Sequence, residues 1–135
     1  MEVTYIEVER AFTEKGRKCH LCGEPIPKMA KFLYMRRGRH IYTLCQKCAV
    51  TAAAFIDKSW EEMEASCPEH IINHIHTPYR TRCHRCAETF SGARVISFIR
   101  HKYTFTLCSG CLKGLATELA EYDPSVAGDV LEHLV

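Results

Sequence analysis

A small α+β fold, formed twice over within one chain of 135 residues, is what this sequence predicts, on three observations. Eight of its nine cysteines fall into four Cys-x-x-Cys pairs: Cys19/Cys22, Cys45/Cys48, Cys83/Cys86 and Cys108/Cys111. The stretch "RKCHLCGEPIPK" from Arg17 has a near relative in "TRCHRCAETFSG" from Thr81. In each half, aromatic and β-branched runs give way to helical periodicity directly after the second cysteine pair.

The first unit, residues 1–77, opens with an N-terminal strand, and its first cysteine pair forms a knuckle in which Gly23 supplies a residue able to adopt φ > 0. "KFLYMR" and "RHIYTL" flank Gly38 and predict a hairpin. In "CAVTAAAFIDKSWEEM" the positions Ala49, Ala52, Ala53, Ile56, Trp60 and Met63 share one helical face, which predicts one continuous helix with Trp60 in the core. Pro68 then leads a short amphipathic segment, "EHIINHI". The second unit, residues 78–135, repeats the order with "RVISFIR" and "KYTFTL" as hairpin, "CLKGLATELAEY" as helix, and "SVAGDVLEHL" after Pro124. A shift of 64 pairs Cys19 with Cys83, His20 with His84, Tyr34 with Phe98 and Arg36 with Arg100, and from Arg39 onward the shift becomes 63. That places the one-residue deletion in the hairpin turn, where length changes are tolerated.

Units of roughly 60 residues have marginal cores and need a further device to hold them together. The first ten residues are acidic, without the basic start or apolar run expected of a secretory signal, and no segment is long and apolar enough to cross a membrane. An intracellular, reducing location is therefore expected, where such motifs hold metal in preference to forming disulfides. Four thiolates suit one tetrahedral zinc ion, and a closed set of four leaves no open position for catalysis. Two structural zinc ions are expected, one on Cys19, Cys22, Cys45 and Cys48, the other on Cys83, Cys86, Cys108 and Cys111. An iron–sulfur cluster or redox dithiols would use the same ligands. His20 and His84 are expected to point to solvent or to a phosphate, and His70, His74 and His76 read first as surface polar residues of an amphipathic helix, with a third metal site shared with Cys67 as the alternative. A knuckle, a hairpin and a helix that carries the second pair define a treble-clef arrangement, so the fold expected is two tandem treble-clef fingers, each followed by a short helix.

The run "VERAFTEKGRKCHLCGEPIPKMAKF" resembles the start of the zinc fingers of poly(ADP-ribose) polymerases and related DNA-break sensors. Val8, Glu9, Ala11, Gly16, Arg17, Cys19, Cys22, Glu24, Ile26, Pro27 and Lys28 carry the likeness, with Lys31 where that family has a strand arginine. Glu88, Phe90, Gly92, Arg94 and Val95 are similar to another part of the same pattern. Cys45 and Cys108 stand where that family has histidine, and nothing resembles its catalytic domain. "GRHIYTLCQKC" is more loosely similar to the finger of small sporulation sigma-factor inhibitors, which bind protein. Against the pattern of HNH nucleases, Ala49 and Leu112 occupy the histidine position, which argues against a nuclease.

The net charge of +2 conceals a segregation. Residues 17–48 hold eight Lys/Arg against Glu24, and residues 80–113 hold seven against Glu88. Residues 49–79 and 114–135 each carry five acidic side chains, against one basic and none. Basic side chains interleaved with aromatics suit phosphate contact and base stacking. The expected function is non-enzymatic nucleic-acid binding, to DNA in preference to RNA, through Arg17, Lys18, Lys31, Arg36, Arg37 and Arg39 in one unit and Arg82, Arg85, Arg94, Arg100 and Lys102 in the other. The alternative is a protein-interaction module that regulates transcription machinery or another nucleic-acid enzyme, meeting its partner through the acidic helices. No Ser/His/Asp set, phosphate-binding glycine loop or carboxylate pair marks an enzyme.

Overall fold

The computed structural model describes residues 4–11 and 17–122. In chain order its elements are β1 (Thr4–Arg10), β2 (Lys31–Arg37), β3 (His40–Cys45), α1 (Gln46–Phe55), α2 (Trp60–Ser66), α3 (Glu69–Ile72), β4 (Ile75–His76), β5 (Arg80–Arg82), β6 (Thr89–Ser91), β7 (Val95–Arg100), β8 (Tyr103–Cys108) and α4 (Ser109–Tyr122). The strands form antiparallel sheets ordered β1-β2-β3 and β4-β7-β8, with a separate β5-β6 ribbon. The segment after Pro124 lies outside the described residues.

Alternation builds both hairpins. Ile6, Leu33, Met35, Tyr42 and Leu44 turn inward from the first sheet, and Ile96, Phe98, Phe105 and Leu107 do so from the second. Each hairpin closes with a two-residue loop, Gly38-Arg39 and His101-Lys102, and the first loop residue has positive φ in both, 60° at Gly38 and 56° at His101. The ladders therefore superimpose Leu33 on Ile96, Met35 on Phe98 and Arg37 on Arg100, a shift of 63 throughout. This corrects the alignment read from sequence. A one-residue slip inside a hairpin would send every inward side chain to the other face, so the deletion falls earlier, between knuckle and first strand.

The helix expected to run from Ala49 to Met63 is two. It stops at Phe55, and α2 begins again at Trp60, where the Ser59 hydroxyl accepts from the Glu62 N–H at 3.2 Å. The Arg94 guanidinium holds the break open by donating to the carbonyls of Ile56 and Lys58. Trp60 consequently leaves the core. It is 42% exposed and lies under Arg94, 4.7 Å from guanidinium to ring centroid.

One hydrophobic core runs through both halves, joining Leu33, Met35, Tyr42 and Leu44 to Phe98, Phe105 and Leu107. Between them pack α1, which is alanine-rich on its buried side (Ala49, Ala52, Ala53), and α4, which offers Leu112, Leu115 and Leu119. The Gln46 amide, buried in this contact, donates to the carbonyl of Leu119. Tyr42 stacks on Phe98 of the other sheet at 4.9 Å, and Tyr42 also carries the ring of His20 at 5.0 Å.

Candidate metal centres and the basic face

The four Sγ atoms of Cys19, Cys22, Cys45 and Cys48 lie within 4.8 Å of one another, and so do those of Cys83, Cys86, Cys108 and Cys111. A tetrahedron with ~2.3 Å metal–sulfur bonds has edges of about 3.8 Å. Cys22 and Cys45 are 3.8 Å apart, Cys86 and Cys108 4.0 Å.

Local structure presents these sulfurs. In the first knuckle the Cys19 N–H donates to the Glu24 carbonyl and the Gly23 N–H to the Cys19 carbonyl, both at 2.9 Å. Cys83, Glu88 and Ala87 make the same pair of bonds in the second. Gly23 has φ 80°, and Ala87 takes φ 65° at the matching place, so the turn is the same although only one copy has glycine. The second cysteine pairs open helices. Cys45 is the N-cap of α1, its sulfur accepting the Cys48 N–H at 3.5 Å, and the Cys108 sulfur accepts from the Cys111 N–H at 3.4 Å. Further donors reach the sulfurs from the N–H groups of Cys22, Arg85 and Cys108. Backbone dipoles thus converge where negative charge would collect.

Without a cation the first set cannot carry four charges. Hydrogen bonds from Cys45 and Cys48 hold the Cys19 thiol far below its usual range, and the proton shared with Cys19 drives Cys48 far above it. In the second set burial opposes ionisation of Cys83, but N–H donors from Cys86, Cys108 and Arg85 outweigh it and bring the thiol down to about 7. Two tetrads of clustered sulfurs with converging N–H donors fit a divalent ion with sulfur preference.

His20 and His84 have a role that the sequence reading missed. The N–H of His20 donates to the Thr43 carbonyl at 2.8 Å, and its ring Nδ1 accepts from the Thr43 N–H at 2.9 Å. His84 and Thr106 do the same at 2.9 Å and 2.9 Å. Each histidine therefore pins its knuckle to the strand that ends in the next cysteine pair, and so sets the gap between the two halves of the tetrad. The signal was present as a Cys-His-x-Cys opposite a Thr-Leu-Cys in both halves.

The candidate third site does not assemble. His74 Nδ1 faces the Ser97 carbonyl at 2.9 Å, His76 Nε2 faces the Ser97 hydroxyl at 2.9 Å, and His70 Nε2 lies 4.0 Å from the Cys48 sulfur. Cys67 is buried, and burial pushes its thiol up to about 11.

The basic candidates divide into two groups. Arg94 is half-buried and committed to the helix break, Arg82 donates to the Ala87 carbonyl at 3.1 Å, and Arg17 sits against Phe32 and Tyr34, each at 5.7 Å. Lys31 is half-buried beside Glu9, whose carboxyl is pushed up chiefly by its hydrogen bond with Glu7 and by burial, with Lys31 opposing the shift. Lys18, Arg36, Arg39, Arg85, Arg100 and Lys102 are exposed, with Arg36 over Tyr5 at 5.0 Å. Arg37 lies over Tyr103 at 4.9 Å. Among the described residues none of Lys18, Arg36, Arg37, Arg39, Arg82, Arg85, Arg100 and Lys102 has a carboxylate within ion-pair distance, whereas Lys113 pairs with Asp57. No helix among the described residues is long and apolar enough to cross a membrane. No family model, curated protein or solved structure matches this chain.

Proposed function

We propose that this chain is a non-enzymatic protein of two tandem treble-clef fingers, each closed by a structural zinc ion, that binds nucleic acid through its basic knuckles and hairpins. The tetrads Cys19/Cys22/Cys45/Cys48 and Cys83/Cys86/Cys108/Cys111 would hold zinc, and its role would be to supply folding energy to halves that are small on their own. One observation carries the nucleic-acid reading: Lys18, Arg36, Arg37, Arg39, Arg82, Arg85, Arg100 and Lys102 have no carboxylate within ion-pair distance among the described residues, while Glu61, Glu62 and Glu64 gather on α2. A surface built only for solubility mixes signs, so an unneutralised basic face calls for an external polyanion.

The test is a titration of zinc-loaded protein into duplex, nicked and single-stranded DNA at two salt concentrations, with metal content measured on the same sample. Affinity should fall steeply with salt, and Arg100→Glu should reduce both the affinity and the salt slope. Binding indifferent to salt, or to Arg100→Glu, would defeat this reading. A protein partner is the second reading, favoured by the exposed Glu61, Glu62 and Glu64 on α2.

A further inference from the structure

The two hairpins meet at their tips. The ring of His40, at the start of β3, lies 4.7 Å from that of His101 and 4.8 Å from that of Tyr103 in the other hairpin. Tyr103 in turn carries the Arg37 guanidinium at 4.9 Å and the Lys102 ammonium at 5.5 Å. Arg39 and Arg100 belong to the same two turns. Four cationic side chains, Arg37, Arg39, Arg100 and Lys102, thus gather with two imidazoles at the abutting turns, and none of the four has a carboxylate within ion-pair distance among the described residues. Cations brought together in this way repel one another unless an anion joins them.

Two further features set this junction apart. The Arg37 Nε is buried and has no hydrogen-bond partner among the described residues, an uncommon state for a guanidinium donor. His101 adopts φ 56° at the turn position that the other hairpin fills with Gly38. That position favours glycine, so a histidine there holds the backbone in a strained region and keeps an imidazole at the junction.

We propose that the abutting tips form a single phosphodiester-binding site, assembled by both halves together. The backbone of a nucleic-acid strand crosses from one hairpin to the other over Tyr103. Arg37, Arg39, Arg100 and Lys102 contact its phosphates, and His40 and His101 supply N–H donors between them. This rests on the nucleic-acid reading above and adds where the strand lies and that neither half suffices alone.

Lys102→Glu, His101→Gly and, as a distant charge control, Lys28→Glu would be compared with the parent protein, each checked for metal content and thermal stability. The probes are a short labelled duplex, the matching single strand, and polyglutamate. Lys102→Glu should weaken nucleic-acid binding about tenfold or more, against a small change for Lys28→Glu. His101→Gly should relax the turn, raise the melting temperature and still weaken binding several-fold, which a purely structural histidine would not do. Equal losses from Lys102→Glu and Lys28→Glu would overturn the junction site while leaving nucleic-acid binding in place. If the parent protein bound polyglutamate and neither nucleic acid, or bound nothing at low salt, the functional reading and the site would fall together.

Discussion

His20 shows how a side chain outside a cysteine tetrad can govern a candidate metal site. Its Nδ1 accepts a backbone hydrogen bond, which fixes the neutral ring with its proton on Nε2, and its own N–H closes the loop on the same threonine. The clamp lies between the two cysteine pairs, so loosening it should let the tetrad spread. Groups that orient ligands typically change metal affinity by 10–100-fold. His20→Ala is expected to lower affinity at the first tetrad about tenfold in chelator competition, while His20→Asn, which keeps an acceptor near the Nδ1 position, should hold most of it. Equal affinity in all three proteins would show that the clamp is incidental. The grouping of the cysteines into two tetrads was legible from spacing alone, because a Cys-x-x-Cys turn permits few arrangements. The clamp was not, because a histidine beside a ligand reads equally well as solvent-facing until its threonine partner is known.

Helix breaks and strand registers are decided by local chemistry that periodicity does not weigh. Across Ala49–Met63 the apolar spacing favours one helix, and the competing signal, Ser59 followed three residues later by Glu62, is a capping box. It prevails because Arg94, from a distant loop, satisfies the carbonyls that the break exposes. Charged hydrogen bonds of this kind contribute about 1.5–3 kcal/mol, and the cation over Trp60 adds ~0.5–1 kcal/mol where exposed. Arg94→Ala should therefore destabilise the protein by about 2 kcal/mol and shift the emission of Trp60, the single tryptophan, without loss of metal. If Arg94 acted chiefly on nucleic acid, binding would drop with stability unchanged. The hairpins themselves were readable, since aromatic and β-branched runs around Gly38 leave little choice. Their mutual register was not, because cysteine spacing counts residues without saying which side of a connection lost one.

At the scale of the molecule, the two halves share a core, and that sharing has no local signature: the inward residues of one sheet look the same whether a helix or a second sheet covers them. It changes what losing a ligand should do. Cys45→Ser removes one sulfur from the first tetrad at the N-terminus of α1, and α1 is packed along α4. The expected outcome is a single cooperative unfolding transition at lower temperature, with hydrogen-exchange protection lost in both hairpins. Protection retained in β7 and β8 alone would mean that the halves fold separately. The helix pair at the centre also bears on how this chain could be taken apart. The contact face of α1 is mostly alanine and that of α4 mostly leucine, so the two are unequal in volume. Two α1 faces laid together would leave a void, and two α4 faces would crowd. A gene cut near Thr77 would thus yield fragments that select each other over themselves, a ready-made pair for complementation.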